Sequence, residues 1–139
     1  MSRQQVCRQI AAILEASAVT WTETSTGGMF IRFASAGVSI ELVAWGTQTL
    51  IHISSNVLSG VQAPVESVLR HVNQLNTVSH FGRWVYYAET ETVSVEYDLL
   101  GDHLQENELM TGLAALARLA DHHDDQLQQR LGGRRSFEA

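Results

Sequence analysis

The sequence contains six histidines, the side chains best suited to metal binding or proton transfer near neutral pH. The densest acidic and histidine-rich run is residues 122–125 (HHDD), in a stretch that is predicted to be helical. On a helix only side chains three or four residues apart converge, as Asp121 and Asp125 would. The spacing therefore favours a solvated acidic helix face over a metal site. His52 and His71 fall at periodic positions typical of packed or surface side chains.

Motifs for nucleophilic or nucleotide-dependent chemistry are missing from the sequence. It contains no Gly-x-Ser-x-Gly elbow, no phosphate-binding Gly-x-x-x-x-Gly-Lys and no dinucleotide fingerprint. Cys7 lies beside an apolar helical stripe and is expected to be a small buried side chain. Asn73 and Asn76 could bind a ligand, but asparagine near a helix end more often bonds to backbone groups. We therefore predict a protein that is not an enzyme and that uses no cofactor and no metal.

The composition is that of a globular domain, with 45% hydrophobic and 17% charged residues. The formal net charge is −6 and all nine basic residues are arginines, so the surface is poorly suited to nucleic acids. No apolar run reaches the roughly 20 residues that span a bilayer, so no membrane segment is expected. A single cysteine suits the reducing cytoplasm. We predict one domain over residues 1–131 and a flexible tail over residues 132–139.

Hydrophobic periodicity predicts the helices and strands that must position any functional side chain. Helices are expected at residues 3–16, from Pro64 to about 76, and at 105–131. Strands are expected at residues 29–33, 38–45, 50–54, 83–88 and 92–99, with Gly37 supplying a positive φ in the connection at 35–37. Residues 19–24 fit either a sixth strand or a loop. The fold class is therefore α+β, with an antiparallel sheet of about five strands and helices packed on one face.

Several short stretches resemble a known family. They are residues 50–61 (LIHISSNVLSGV), Val72-Asn73, Leu75-Asn76, Phe81-Gly82-Arg83, and residues 95–99 (VEYDL) before the Glu-rich start of the last helix. Together they resemble the YbjN-type family, described as bacterial sensory transduction regulators with a fold like that of type III secretion chaperones. The family commonly has an aromatic residue where this chain has Leu75. The resemblance implies an α-β-β-β-α-β-β-α domain, often dimeric, that binds other proteins and has no catalytic residues to transfer.

One face of the predicted sheet is the candidate binding surface. If Ile31, Ile40, Ile51, Ile53, Val93, Val95 and Tyr97 face the helices, strand alternation exposes another set. The exposed set is Phe30, Val43, Trp45, Leu50 and His52, joined by either Trp84 and Tyr86 or Val85 and Tyr87. Apolar side chains on an outward sheet face are typical of an interaction surface. The alternative is that residues 19–24 cover this face.

These observations predict a non-enzymatic, cytoplasmic protein-binding domain, chaperone-like or regulatory. It is expected to form a homodimer through the exposed sheet face and to bind another protein. The alternative function is a small-molecule sensor with a pocket between the last helix and the sheet.

Overall fold

The computed structural model describes residues 1–138, which form three helices and one seven-stranded antiparallel sheet. The helices are α1 (Arg3–Ala16), α2 (Val65–Val78) and α3 (Glu106–Leu131). The strands are β1 (Thr22–Glu23), β2 (Met29–Phe33), β3 (Ala36–Trp45), β4 (Gln48–Ser59), β5 (Arg83–Tyr87), β6 (Thr92–Leu100) and β7 (Arg134–Arg135). The predicted α+β class and element order are confirmed, with two short strands added.

The strands lie in the order β1-β2-β3-β4-β6-β5, and β7 pairs with β4. The long hairpin of β3 and β4 forms the centre, where Val43 lies opposite Leu50. A register shift between Asn56 and Leu58 interrupts the pairing of β4 with β6. Such a bulge bends a strand and changes its neighbours. At this end β4 pairs with β7, with Leu58 opposite Arg135.

All three helices pack on the same face of the sheet, which we call the inner face, and the opposite face is the outer face. The strands contribute Met29, Ile31, Val38, Ile40, Leu42, Ile51, Ile53, Val93 and Val95 to the buried core. The helices contribute Val6, Ile10, Leu14, Val68, Val72, Leu109, Leu113, Leu116 and Leu127. Burial of each such side chain contributes about 1.5–3 kcal/mol to folding. The core therefore determines which strand positions point outward.

Local contacts fix how the helices begin and where they dock. The Ser2 hydroxyl accepts from the Gln5 amide at 3.2 Å, and Gln5 accepts from the Ser2 amide at 2.8 Å, which caps α1. Asn76 on α2 accepts from the Trp84 amide at 2.7 Å and donates to the Trp84 carbonyl at 3.0 Å. Asn76 thus bonds to backbone, as predicted, and joins α2 to β5.

Two loop predictions need correction. The connection between β2 and β3 is Ala34-Ser35, where Ala34 has φ 51°, and not residues 35–37. Gly37 instead lies within β3. A Cβ added at Gly37 would be 2.7 Å from Cζ of Phe30. The prediction of a positive φ at Gly37 is wrong, and the glycine instead leaves room for the Phe30 ring. Residues 19–24 contain the two-residue strand β1, which extends the sheet beside β2 and leaves the centre of the outer face open.

Residues 132–138 follow α3 and return to the sheet. Arg134–Arg135 form β7 against β4, and Ser136 donates from its hydroxyl to the Asn56 carbonyl at 2.6 Å. The predicted flexibility of residues 132–139 stays a prediction, and Ala139 lies outside the described residues.

Candidate functional site: the outer face of the sheet

The five side chains predicted to bind a partner occupy strand positions that alternate with the buried core, so all five lie on the outer face. Val43 is 46% exposed and Trp45 is 64% exposed, while Phe30, Leu50 and His52 are half-buried. Val43, Trp45 and Leu50 lie close together, because Val43 and Leu50 are paired across β3 and β4. Phe30 lies apart on β2, where it is opposite Ser39.

An apolar row crosses three strands at one end of the outer face. It consists of Val43 on β3, Leu50 on β4 and Leu100 on β6, with Trp45 beside it. Leu100 is opposite Leu50 and is 49% exposed. Leu100 was not among the predicted partner-binding residues, although alternation from the buried Leu99 places it outward. Exposed aliphatic side chains in register with an exposed tryptophan can bury apolar groups of a partner.

A polar cluster lies next to the apolar row, formed by His52, Arg83, Tyr87, Glu96 and Asp98. Nδ1 of His52 lies 2.6 Å from Oδ1 of Asp98, and Arg83 donates to Oδ2 of Asp98 at 2.8 Å. The carboxylate of Glu96 accepts from the Tyr87 hydroxyl and, at 3.3 Å, from Arg83. The Glu96 side chain is only 5% exposed, so these donors compensate for its desolvation.

The cluster changes the protonation behaviour of its members. The hydrogen bond to Glu96, aided by burial, raises the pKa of Tyr87 to about 12. Burial alone would raise the pKa of Asp98, but hydrogen bonds from His52 and Arg83 outweigh it and hold that pKa below its ordinary value. At neutral pH the phenol therefore stays protonated as a donor and Asp98 stays ionised as an acceptor. The side chains of the cluster therefore satisfy one another's hydrogen-bonding groups and hold a fixed arrangement on the outer face.

Phe30 contributes to a different part of the outer face. Its ring makes an edge-to-face contact with the ring of Phe137, with centroids 6.4 Å apart. The guanidinium carbon of Arg32 lies 3.8 Å from the centroid of the Phe137 ring. Phe30 is thus partly covered by the segment that follows α3, a contact that strand alternation cannot predict.

The prediction of a wholly solvated helix face at residues 122–125 is wrong for two of its members. Asp124 is 5% exposed and accepts from the Ser35 hydroxyl at 2.7 Å. His123 packs perpendicular to the Trp84 ring, with centroids 5.5 Å apart. These two residues belong to the packing of α3 on the sheet, because α3 continues for 26 residues and keeps its inner stripe to Leu131.

The interface between α3 and the sheet is filled with side chains. Leu109, Leu113 and Leu116 there are each 0% exposed. Within residues 1–138, no group of three or more His, Cys, Asp and Glu side chains is arranged to hold a metal ion. None of the helices described between residues 1 and 138 combines the length and the apolar character needed to cross a bilayer.

The whole sequence, residues 1–139, matches a family described as "T3SS (YopN, CesT) and YbjN peptide-binding chaperone 1", abbreviated TY-Chap1. The resemblance to YbjN-type proteins with a secretion-chaperone fold is therefore confirmed. No protein of curated function is detectably similar to the chain in sequence.

Two solved structures share the fold. One is a chain in the crystal structure of the ExsC–ExsE complex, which is 20% identical with a TM-score of 0.68 and matches over 91% of this chain and 97% of that chain. The other is a chain in the HopA1–SchA chaperone–effector complex, which is 8% identical with a TM-score of 0.61 and matches over 90% of this chain and 99% of that chain. At these identities the likeness establishes the common fold.

Proposed function

The chain belongs to the TY-Chap1 family of peptide-binding chaperones, and we propose that it binds an extended segment of another protein on the outer face of its sheet. Family membership over residues 1–139 is the observation that carries this proposal. The predicted partner-binding residues Phe30, Val43, Trp45, Leu50 and His52 supply the surface, and Leu100 extends it.

The outer face offers two kinds of contact to such a segment. The apolar row can bury apolar side chains, and each 100 Å² of apolar surface removed from water stabilises the complex by about 2.5 kcal/mol before the cost of association. The polar cluster beside the row presents Arg83, which is 55% exposed at its side chain and is already oriented by two carboxylates. A segment with apolar residues next to an acidic or carbonyl acceptor would match both parts.

The proposal has three further parts, which are self-association, action without catalysis and a location in the cytoplasm. A homodimer could form through the apolar row, because twofold contacts are the commonest way in which one patch covers itself. We further propose that the protein acts by binding and not by catalysis, and in the cytoplasm. The hydrogen bonds of Asp98 with His52 and Arg83, and of Glu96 with Tyr87 and Arg83, favour a structural role for these titratable groups.

Selection of binding peptides from a random 20-residue display library tests the proposal. Enriched peptides are then measured by fluorescence anisotropy against wild type, Trp45→Glu and Leu69→Glu. Leu69 on α2 is 50% exposed and serves as a matched apolar control away from the outer face. We expect Trp45→Glu to weaken binding by about tenfold or more, the usual loss at a buried aromatic anchor, and Leu69→Glu to leave it unchanged.

Two results would contradict the proposal. A selection that enriches no peptide would argue against peptide binding, and equal losses in the two variants would argue against the outer face. A thermal-shift screen with metabolites is the complementary measurement. A large ligand-specific rise in melting temperature with no peptide binding would favour the small-molecule sensor.

A further inference from the structure

The segment after α3 pairs with the end of β4 in the manner of a bound peptide, and its Phe137 side chain reaches the outer face. Arg134–Arg135 add a short strand to β4, with Arg134 opposite Ser59 and Arg135 opposite Leu58. The Ser136 hydroxyl donates to the Asn56 carbonyl at 2.6 Å. Strand addition with main-chain pairing and a side chain in a neighbouring pocket is a common way to hold extended peptides.

A second set of contacts keeps this segment in place. Arg135 forms an ion pair with Asp125 on α3 and lies 2.7 Å from the carboxylate of Glu138. Glu138 also accepts from the Gln128 amide at 2.8 Å. Backbone and side-chain hydrogen bonds from Arg135 hold the pKa of Glu138 below its ordinary value. These polar contacts are largely exposed, and each contributes little to stability.

Phe137 is the apolar anchor of the segment. The centroid of its ring lies 6.4 Å from the centroid of the Phe30 ring, in an edge-to-face contact, and 3.8 Å from the guanidinium carbon of Arg32. Gly37 makes room for both rings, because a Cβ there would be 2.7 Å from Phe30 and 3.2 Å from Phe137. The seat is therefore shaped for an aromatic side chain.

Open space continues from this seat along the sheet. A groove of about 220 Å³ is lined by Phe30, Gly37, Ser39, Ser54, Asn56, Ser136 and Phe137. Ser39 and Ser54 lie opposite each other on β3 and β4, so their hydroxyls form the polar floor of the groove. Phe137 remains 47% exposed, which shows that the groove holds the ring without enclosing it.

From this arrangement we propose that the groove beside Phe30 binds an extended segment of a partner protein through one aromatic side chain. In the absence of that partner the ring of Phe137 fills the aromatic seat at one end of the groove, so residues 134–138 compete with the partner. The proposal rests on the proposed peptide-binding function and names both a specific site and the chemistry of the occupant. A tethered competitor acts at a local concentration on the order of millimolar, so it can shield the groove even when its own contacts are weak.

The contacts of the Phe137 ring determine how much the segment lowers the apparent affinity of the groove for a peptide. An edge-to-face aromatic pair and an exposed cation–π contact together favour the seated ring by about tenfold. A binding site that is free for only about a tenth of the time has an apparent affinity about tenfold lower than its intrinsic affinity. Removal of the Phe137 ring should therefore strengthen binding of an aromatic peptide by about tenfold.

The test measures the anisotropy of two capped, fluorescein-labelled peptides against full-length proteins. One peptide is Gly-Gly-Arg-Arg-Ser-Phe-Glu, the sequence of residues 132–138, and the other has alanine in place of phenylalanine. The proteins are wild type, Phe137→Ala, and Phe137→Ala combined with Ser54→Phe, which fills the groove with a ring suited to a strand. Circular dichroism melting confirms that each protein is folded.

We expect the phenylalanine peptide to bind Phe137→Ala about tenfold more tightly than wild type. The alanine peptide should show no such gain. Adding Ser54→Phe to Phe137→Ala should abolish the gain of the phenylalanine peptide. Equal affinity of the phenylalanine peptide for wild type and Phe137→Ala would overturn the proposal. Conversion of a wild-type dimer to a monomer by Phe137→Ala would overturn competition within one chain, since the segment would then be exchanged between two copies.

Library peptides separate this proposal from the proposed function. If they bind wild type and Phe137→Ala equally, the competition is wrong and the peptide-binding function stands. If the peptide of residues 132–138 binds as expected while Trp45→Glu and Leu69→Glu weaken library peptides equally, the groove is supported and binding on the apolar row is contradicted.

Discussion

Nδ1 of His52 lies 2.6 Å from Oδ1 of Asp98, directly across the β4–β6 pair at the centre of the outer face. This contact is one part of a hydrogen-bonded group that includes the buried carboxylate of Glu96. The group separates the apolar row around Leu50 from the groove beside Phe30. The outer face is therefore divided into an apolar part, a charged part and an aromatic groove, and each part can be tested by substitution.

The first prediction concerns the hydroxyl of Tyr87. Tyr87→Phe removes a donor from the buried Glu96 carboxylate and should lower the free energy of unfolding by about 1–3 kcal/mol. Tyr86→Phe removes the same atom from the neighbouring residue on the other side of the strand and should change stability by less than about 0.5 kcal/mol. Urea denaturation of both variants measures the difference. Equal losses of stability in the two variants would mean that the Tyr87 hydroxyl does not stabilise the buried Glu96 carboxylate.

The second prediction is a loss of stability in mild acid that comes from His71 and His123. Burial, with the positive charge of Arg130, lowers the pKa of His71, and burial, with His122 and His71, lowers that of His123. The unfolded chain therefore binds more protons than the folded protein as pH falls below about 6.5, so folding stability decreases there and levels off below the folded pKa values.

Melting temperatures at pH 7.5 and pH 5.5 test this second prediction. Wild type should melt at a lower temperature at pH 5.5, and combined His71→Gln and His123→Gln should reduce that difference. His80→Gln, at an exposed position, is the control and should keep it. An unchanged pH dependence in the double variant would assign the acid sensitivity to other groups.

The third prediction is self-association through the apolar row. Trp45→Glu places like charges near a twofold contact and should convert a homodimer into a folded monomer. Leu69→Glu adds the same charge at a similarly exposed apolar position on α2 and should leave the dimer intact. Light scattering at matched concentrations measures both. Wild type that stays monomeric at high micromolar concentration would end this proposal and leave the row to a different partner.

The fourth prediction concerns the packing of α3. Leu116 is 0% exposed, and Leu116→Asp should unfold the domain because an unpaired buried carboxylate costs several kcal/mol against a total stability of about 5–15 kcal/mol. Leu113→Asp should behave in the same way. Ala114→Asp, at an exposed position of the same helix, should remain folded. Thermal melting followed by circular dichroism gives the comparison, and a wild-type transition in Leu116→Asp would refute the assignment of this residue to the core.

The sequence by itself determined the helices, the main strands and which side chains point outward. Apolar spacing of 3.6 residues in α3 and of two residues in β6 is a local property, because burial of one stripe or one face dominates folding. For that reason α1 was predicted at its observed bounds, and Val43, Trp45 and Leu50 were placed on the correct face. The resemblance in residues 50–99 also follows the spacing of the apolar core residues. The sequence alone therefore indicated the family as well.

Only the tertiary structure decided how the outward side chains are grouped. The contact of His52 with Asp98 depends on the register of β4 against β6, which residue spacing within either strand does not specify. The burial of Asp124 depends on the turn at Ser35, and the cover on Phe30 depends on the return of Phe137 across the sheet. These contacts join residues from 46 to 107 positions apart in the chain. Local periodicity gives no information about such distant pairs, and the packed core is what brings them together.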